Sequence, residues 1–148
     1  MIVETSFSQE VKTVSFEELQ KVMSENPQQP KLVNFWATWC KPCVDELPFF
    51  VKGAGEMKKS NVQFIFVSVD FKSVHDAVEE KVRQLGLTGT LLHLTEPGTD
   101  WIDKVDTNWS GAIPFTMLIL PGGKKVEHFN DFENYDALKL FLDKNLSN

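Results

Sequence analysis

Apolar positions along the chain recur at two spacings, and the spacing switches segment by segment. Ser15 followed three residues later by Glu18 is a capping-box signature, and Phe16, Leu19 and Met23 then recur at helical spacing. That helix should stop before the polar turn bracketed by Pro27 and Pro30, because the residue before a proline avoids helical geometry. Leu32–Trp36 is short and rich in strand formers, and reads as a buried strand. Beyond Cys43, the residues Val44, Leu47, Val51 and Ala54 share one helical face, and Pro48 inside the pattern is expected to kink the helix. Residues 62–69 are apolar on both alternating sets, as in a central strand covered from both sides. Val74, Val78, Val82 and Leu85 line up on a third helix that Gly86 closes.

Between Gly89 and Ala112 the pattern is weaker. Leu91–Leu94 reads as a short strand, and Asp100 as the cap of a short helix carrying Trp101, Ile102 and Val105. The remainder reads as a strand over Phe115–Leu120, the turn Pro121-Gly122-Gly123, a strand over Lys125–Phe129 and a helix from about Asn134 to Leu146. Pro-Gly-Gly between two β runs is a strong hairpin signal. Alternation closed by a hairpin predicts an α/β fold: a central mixed β-sheet with helices on both faces, and a β-hairpin and a helix at the C-terminus.

Composition narrows this picture without changing it. The 148 residues fit a single domain over 1–148, with no linker or repeat to divide it. With 42% apolar and 24% charged residues the chain lacks the signature of disorder. Fifteen basic against 21 acidic side chains leave 15 − 21 = −6, so no nucleic-acid partner is expected, since phosphate binding needs a basic face. No apolar run approaches the ~18 residues that span a bilayer. The opening MIVETSFSQEVKTV has neither a basic nor an apolar leader region, so no export signal is visible; a chain trimmed of its leader would read the same way.

The chemistry concentrates in Trp36-Ala37-Thr38-Trp39-Cys40-Lys41-Pro42-Cys43, which follows a predicted strand and opens a predicted helix. At three residues apart the cysteines close too small a loop to serve as a staple, so a bridge between them would exist for its reactivity. At a helix N-terminus the unpaired N–H groups and the positive end of the dipole favour a thiolate at Cys40. Such sites lower a thiol from about 8.5 to between roughly 3.5 and 7.5. Lys41 adds an exposed cation, and Pro42 suits the first helical turn. Cys40 is then the attacking nucleophile and Cys43, one turn deeper, the resolving thiol. Glu46, on the same helical face as Cys43, is the candidate to accept the resolving proton.

The run from Val33 to Cys43, with Glu46 and Pro48, resembles the thioredoxin superfamily, and within it the TlpA/ResA-like bacterial thiol–disulfide oxidoreductases. The likeness covers most of the chain. Lys12–Ser15 resembles the family's entry to the sheet, Val67–Asp70 its central strand, and Gly111–Thr116 its cis-proline loop. The resemblance implies a thioredoxin-like fold with a cis Pro114 against the cysteines. It also implies that the Ile113 backbone pairs with an extended substrate, so that Trp39, Lys41, Pro42, Ile113 and Pro114 form the substrate-binding set around Cys40, Cys43 and Glu46. Two features depart from common family members: Asn34 stands where many have a buried Asp, which shifts the acceptor role to Glu46, and the dipeptide between the cysteines is Lys-Pro. The implied activity is protein disulfide exchange, most simply as a reductase. It needs no bound cofactor and no metal; protein disulfides or dithiols and an upstream thiol reductant are the partners. A monomer in the bacterial periplasm or cell envelope is implied, with the cytoplasm as the alternative location.

Two other readings compete. One is a thiolate-based copper-binding or delivery module of the same fold, although related copper proteins usually place one more residue between the cysteines. The other is a thiol peroxidase, whose Pro-x-x-x-Thr-x-x-Cys signature is absent because Trp36 and Ala37 occupy its Pro and Thr positions. Zinc lacks a second pair of ligands, since His75, His93 and His128 are scattered without ligand spacing. Trp39 is expected partly exposed beside the thiols and Trp36 in the core. Trp101 and Trp109 should pack under the 86–112 segment, and Asn34 reads as a satisfied polar group in a strand.

Overall fold

The computed structural model describes residues 10–146; the first nine residues of the N-terminal run read for an export signal, and the last two of the 1–148 span, lie outside them. The chain folds as β1 (Lys12–Val14), α1 (Phe16–Ser24), β2 (Lys31–Trp36), α2 (Lys41–Glu56), β3 (Gln63–Ser68), a 3-10 turn (Lys72–Val74), α3 (His75–Leu85), β4 (Thr90–Leu94), α4 (Asp100–Val105), β5 (Phe115–Ile119), β6 (Lys125–His128) and α5 (Tyr135–Leu146). Six strands form one mixed sheet in the order β1-β4-β3-β2-β5-β6. The first four in that order run parallel, while β5 and β6 are antiparallel to their neighbours.

Strand alternation builds a core on each face. Phe64 and Phe66 of β3 meet Leu47 and Phe50 of α2 on one side, together with Val78 and Val82 of α3 and Leu138 and Leu142 of α5. Ile65 and Val67 point the other way, to Leu19 of α1, Val105 of α4 and Trp109. The capping box at Ser15 and Glu18 is formed reciprocally, with bonds of 2.8 and 3.1 Å, and α1 buries Phe16, Leu19 and Met23 as its spacing predicts. Gly86 closes α3 in the left-handed region at φ 72°. The Pro121-Gly122-Gly123 turn joins β5 to β6 with both glycines at positive φ.

Several expectations are corrected. Helix α2 buries Cys43, Glu46, Leu47, Phe50 and Gly53; Val44, Val51 and Ala54 are only half-buried, because the helix must face α5 as well as the sheet. Pro48 lies inside the helix, as its place in the pattern predicts, and removes one main-chain donor there. Val74 belongs to the 3-10 turn and is exposed, so the buried line of α3 begins at Val78. Thr99 rather than Asp100 precedes α4; Asp100 is the first helical residue, where its charge meets the positive end of the helix.

The 86–112 segment supplies β4, α4 and a loop that carries Trp109 onto the second core. Its ring lies 4.8 Å from Phe35 and 4.6 Å from Phe115, and its Nε1 donates to the Ala112 carbonyl at 2.7 Å. Gly89 enters β4 at φ +107°, where a Cβ would stand 2.7 Å from the Phe64 carbonyl oxygen. Gly89→Ala combines backbone strain with a clash against a central strand and should destabilise the fold by about 2–3 kcal/mol. A lower urea midpoint with unchanged m checks this.

Candidate active site

The strands β2, β3 and β4 end together on one edge of the sheet, and the loops leaving them meet there. Ligands of open α/β sheets bind outside such carboxyl ends. The loop after β2 is held by the loop after β3: the Asp70 carboxylate accepts from the Thr38 main-chain N–H at 3.0 Å, from Thr38 Oγ1 at 2.6 Å and from Ser68 Oγ at 2.7 Å. The Cys40 N–H then bonds the Ala37 carbonyl, which turns the chain into α2.

Cys40 is the N-cap of α2, and its Sγ accepts from the Cys43 N–H at 3.3 Å. The two cysteines form a disulfide with Cα atoms 5.3 Å apart. Cys40 retains 5% of its surface and Cys43 none, so the outer sulfur belongs to Cys40. Pro42 sits in the first helical turn, where its missing N–H leaves no bond unmade. Lys41 pairs with Asp45 at 2.8 Å on the open surface, which spends much of its charge locally. Trp39, the residue before Cys40, is 69% exposed, and Phe71, the residue after Asp70, is 81% exposed. The Thr38–Asp70 bonds therefore tie together two loops that each present an aromatic ring. The Ile113–Pro114 peptide is cis; Pro114 is buried and Ile113 half-buried against both cores. Trp36 lies in the core, as expected.

Glu46 is almost completely enclosed, at 1% exposure. Its Oε1 accepts the Phe132 N–H at 2.8 Å and its Oε2 the Asn34 amide at 3.0 Å. Burial pushes its carboxyl up to about 7; the bonds from Phe132 and Asn34 oppose that rise, and the charge of Asp131 adds to it. A carboxyl balanced near neutrality one helical turn beyond Cys43 is suited to proton exchange.

Sequence reasoning missed the surroundings of that carboxyl. Asn34 is no passive strand residue: its amide donates to both Glu46 and Thr116, while its Oδ1 has no partner. Period-2 alternation puts Asn34 on a buried strand but cannot say that a helix carboxyl faces it. Phe132 lies 86 positions from Glu46, and no local pattern links them. Asp70 and Ser68 were likewise invisible as the anchor of the active-site loop. The histidines are corrected too. His75 and His93 meet at 2.8 Å through their Nδ1 atoms, while His128 stacks on Phe132 at 3.9 Å between ring centroids. Among the described residues, no group of three or more His, Cys, Asp or Glu is arranged to hold a metal ion.

A sheet of this topology with a cysteine pair at a helix N-terminus and a cis proline in a neighbouring loop defines the thioredoxin-like class of proteins. The chain belongs to the AhpC/TSA family, whose model matches residues 5–129. It is 31% identical over 116 residues to the thiol-disulfide oxidoreductase ResA of Bacillus thuringiensis (strain Al Hakam), a match covering 76% of this chain and 61% of that protein. Against ResA of Bacillus subtilis (strain 168) it is 30% identical over 95 residues, 64% of this chain and 49% of the relative. The chain thus spans about three fifths or less of the length of these relatives. Among solved structures it resembles a thioredoxin-related protein from Neisseria meningitidis serogroup B, with a TM-score of 0.67, 24% identity and coverage of 86% and 91% of the two chains. StoA from Bacillus subtilis aligns with a TM-score of 0.59 at 21% identity, over 78% and 83% of the chains. These likenesses establish the thioredoxin-like fold.

Proposed function

We propose that the protein is a thiol–disulfide oxidoreductase that reduces protein disulfides, with Cys40 as nucleophile, Cys43 as resolving thiol and Glu46 as the acceptor of the resolving proton. The observation that carries this reading is the asymmetry of the pair: Cys40 caps the helix and receives the Cys43 N–H, while Cys43 is wholly enclosed behind it. In the reduced enzyme the Cys40 thiolate attacks a partner disulfide, forming a mixed disulfide and expelling one partner thiolate. Cys43 then gives its proton towards Glu46 and its sulfur attacks Cys40 Sγ. The internal disulfide forms and the second partner thiol leaves, so two electrons have passed to the partner. An upstream thiol reductant regenerates the pair.

The likeness to ResA supports this activity and an extracytoplasmic setting in the cell envelope, where such disulfide chemistry has partners. The chain acts as one domain and as a monomer, and Lys41, Pro42, Ile113 and Pro114 border the partner's path to Cys40. Reduction of insulin by the dithiol form, followed by measurement of the Cys40–Cys43 potential in glutathione buffers, tests the reading. Turnover supports it; tight Cu(I) binding to the reduced protein with no disulfide turnover overturns it in favour of a metal-binding module.

The exposed rings of Trp39 and Phe71 offer apolar surface on either side of the Thr38–Asp70 bond. Trp39→Ala should raise KM for a protein disulfide about fivefold, the equivalent of roughly 1 kcal/mol of contact, and leave kcat little changed. Phe71→Ala should do the same. Steady-state kinetics with a protein and a small-molecule disulfide distinguish lost docking from lost chemistry, because only the protein substrate should suffer.

A further inference from the structure

Behind the active-site loop lies a buried polar chain that the exchange reaction does not use. His93, on β4, has no exposed surface. Its Nε2 is 2.8 Å from the Asp70 main-chain carbonyl, and its Nδ1 is 2.8 Å from Nδ1 of His75, at the start of α3. The two rings stack 5.1 Å apart with an interplanar angle of 5°. His75 Nε2 faces Glu79 Oε2 at 3.5 Å, on the partly exposed side. The residues in register with His93 on the flanking strands, Thr13 and Ser68, are uncharged. Besides Glu79, the nearby ionisable groups are Asp70 on the loop after β3, with Lys72 and Asp76 close to His75 in sequence.

Hydrogen-bond donors and acceptors decide where the protons sit. A carbonyl oxygen only accepts, so His93 Nε2 carries a hydrogen. In a neutral His93 ring, Nδ1 is then the acceptor, and His75 Nδ1 must donate to it. Hydrogens on both Nδ1 atoms would set two N–H groups head to head across 2.8 Å and break the pair.

We propose that His75, His93 and Asp70 are positioning residues: the tautomer-locked histidine pair holds the Asp70 main chain, and Asp70 in turn holds Thr38 and the approach to Cys40. The inference rests on the exchange reading for its consequence in turnover, but not for its geometry. Loosening the chain lets the N-cap of α2 drift, which weakens the Cys43 N–H bond to Cys40 sulfur and with it the stabilisation of the thiolate.

The test combines two measurements on the full chain. Long-range proton–nitrogen correlation of the imidazoles at neutral pH should show His93 protonated at Nε2 and bare at Nδ1, with His75 protonated at Nδ1. In the reduced protein, alkylation of Cys40 by iodoacetamide across pH reports its thiolate fraction. His93→Phe should lower that fraction at pH 7 at least threefold. His75→Phe, which keeps the ring stack on the more open side and removes only the donor, should move it the same way by less and remains informative if the buried variant fails to fold. A His93 bare at Nε2, or a His75→Phe profile superimposable on the wild type, overturns the proposal. Because alkylation needs only the thiol, shifted profiles in a protein that reduces no disulfide would overturn the exchange reading and leave the positioning chain standing.

Discussion

Cys40→Ser is expected to lose disulfide turnover by ~10³-fold or more while keeping the fold. Serine is among the preferred N-cap residues, so the variant still offers an oxygen to the Cys43 N–H where the sulfur now accepts it. Its melting behaviour should therefore match that of reduced wild type, which ties the loss to the missing thiolate. Cys43→Ser should fail differently. Its hydroxyl is buried where the sulfur had no exposed surface, at a cost of roughly 1–3 kcal/mol unless it finds a bond. Cys40 remains able to attack, yet nothing releases it, so covalent adducts with partner proteins accumulate. Non-reducing electrophoresis and mass spectrometry read both outcomes. Adducts trapped by Cys40→Ser and not by Cys43→Ser would reverse the two roles.

The elements written locally in the sequence were legible. A capping box needs only Ser15 and Glu18, a hairpin only Pro121-Gly122-Gly123, and the helix-terminal cysteine only a strand before it and a turn after it. What depended on distant packing was not. The buried face of α2 is rotated towards Glu46 and Phe50 because α5 returns against it from some 80 residues downstream, a fact no 3.6-residue spacing encodes. The same return brings the Phe132 N–H onto Glu46 and encloses its carboxyl, which the helical spacing alone does not show. His75 and His93 looked scattered because 18 positions separate them in the chain, although α3 and β4 bring them together at one edge of the sheet. Resemblance supplied the cis proline, whereas the roles expected of the two cysteines followed from their place at the helix N-terminus. It was silent on Asp70 as the tie between the two loops.

The second large effect is expected at Glu46. Resolution of the mixed disulfide should quicken as pH rises through about 7, where the carboxylate forms, and Glu46→Gln should slow it about 10²-fold and remove that dependence. The substitution is accommodated. The carbonyl oxygen of the introduced amide can still accept the Phe132 N–H, and Asn34 can turn its own amide over so that Oδ1 receives the new NH₂ group, at the cost of its present bond to Thr116. Stability supplies an independent check on the same proton. The folded carboxyl is raised from 4.5 to about 7, so the folded state holds its proton more tightly than the unfolded chain does. That contribution is fully present below pH 4.5, declines between 4.5 and 7 and is gone above the folded value, a change of about 3 kcal/mol. Glu46→Gln should flatten the decline, and relative to wild type it should gain stability steadily from about pH 5 to pH 7 and level off above. Urea unfolding at intervals across that range, paired with single-turnover resolution rates, measures both arms. A wild-type slope retained in the Gln variant, or equal resolution rates at every pH, would remove Glu46 from the mechanism.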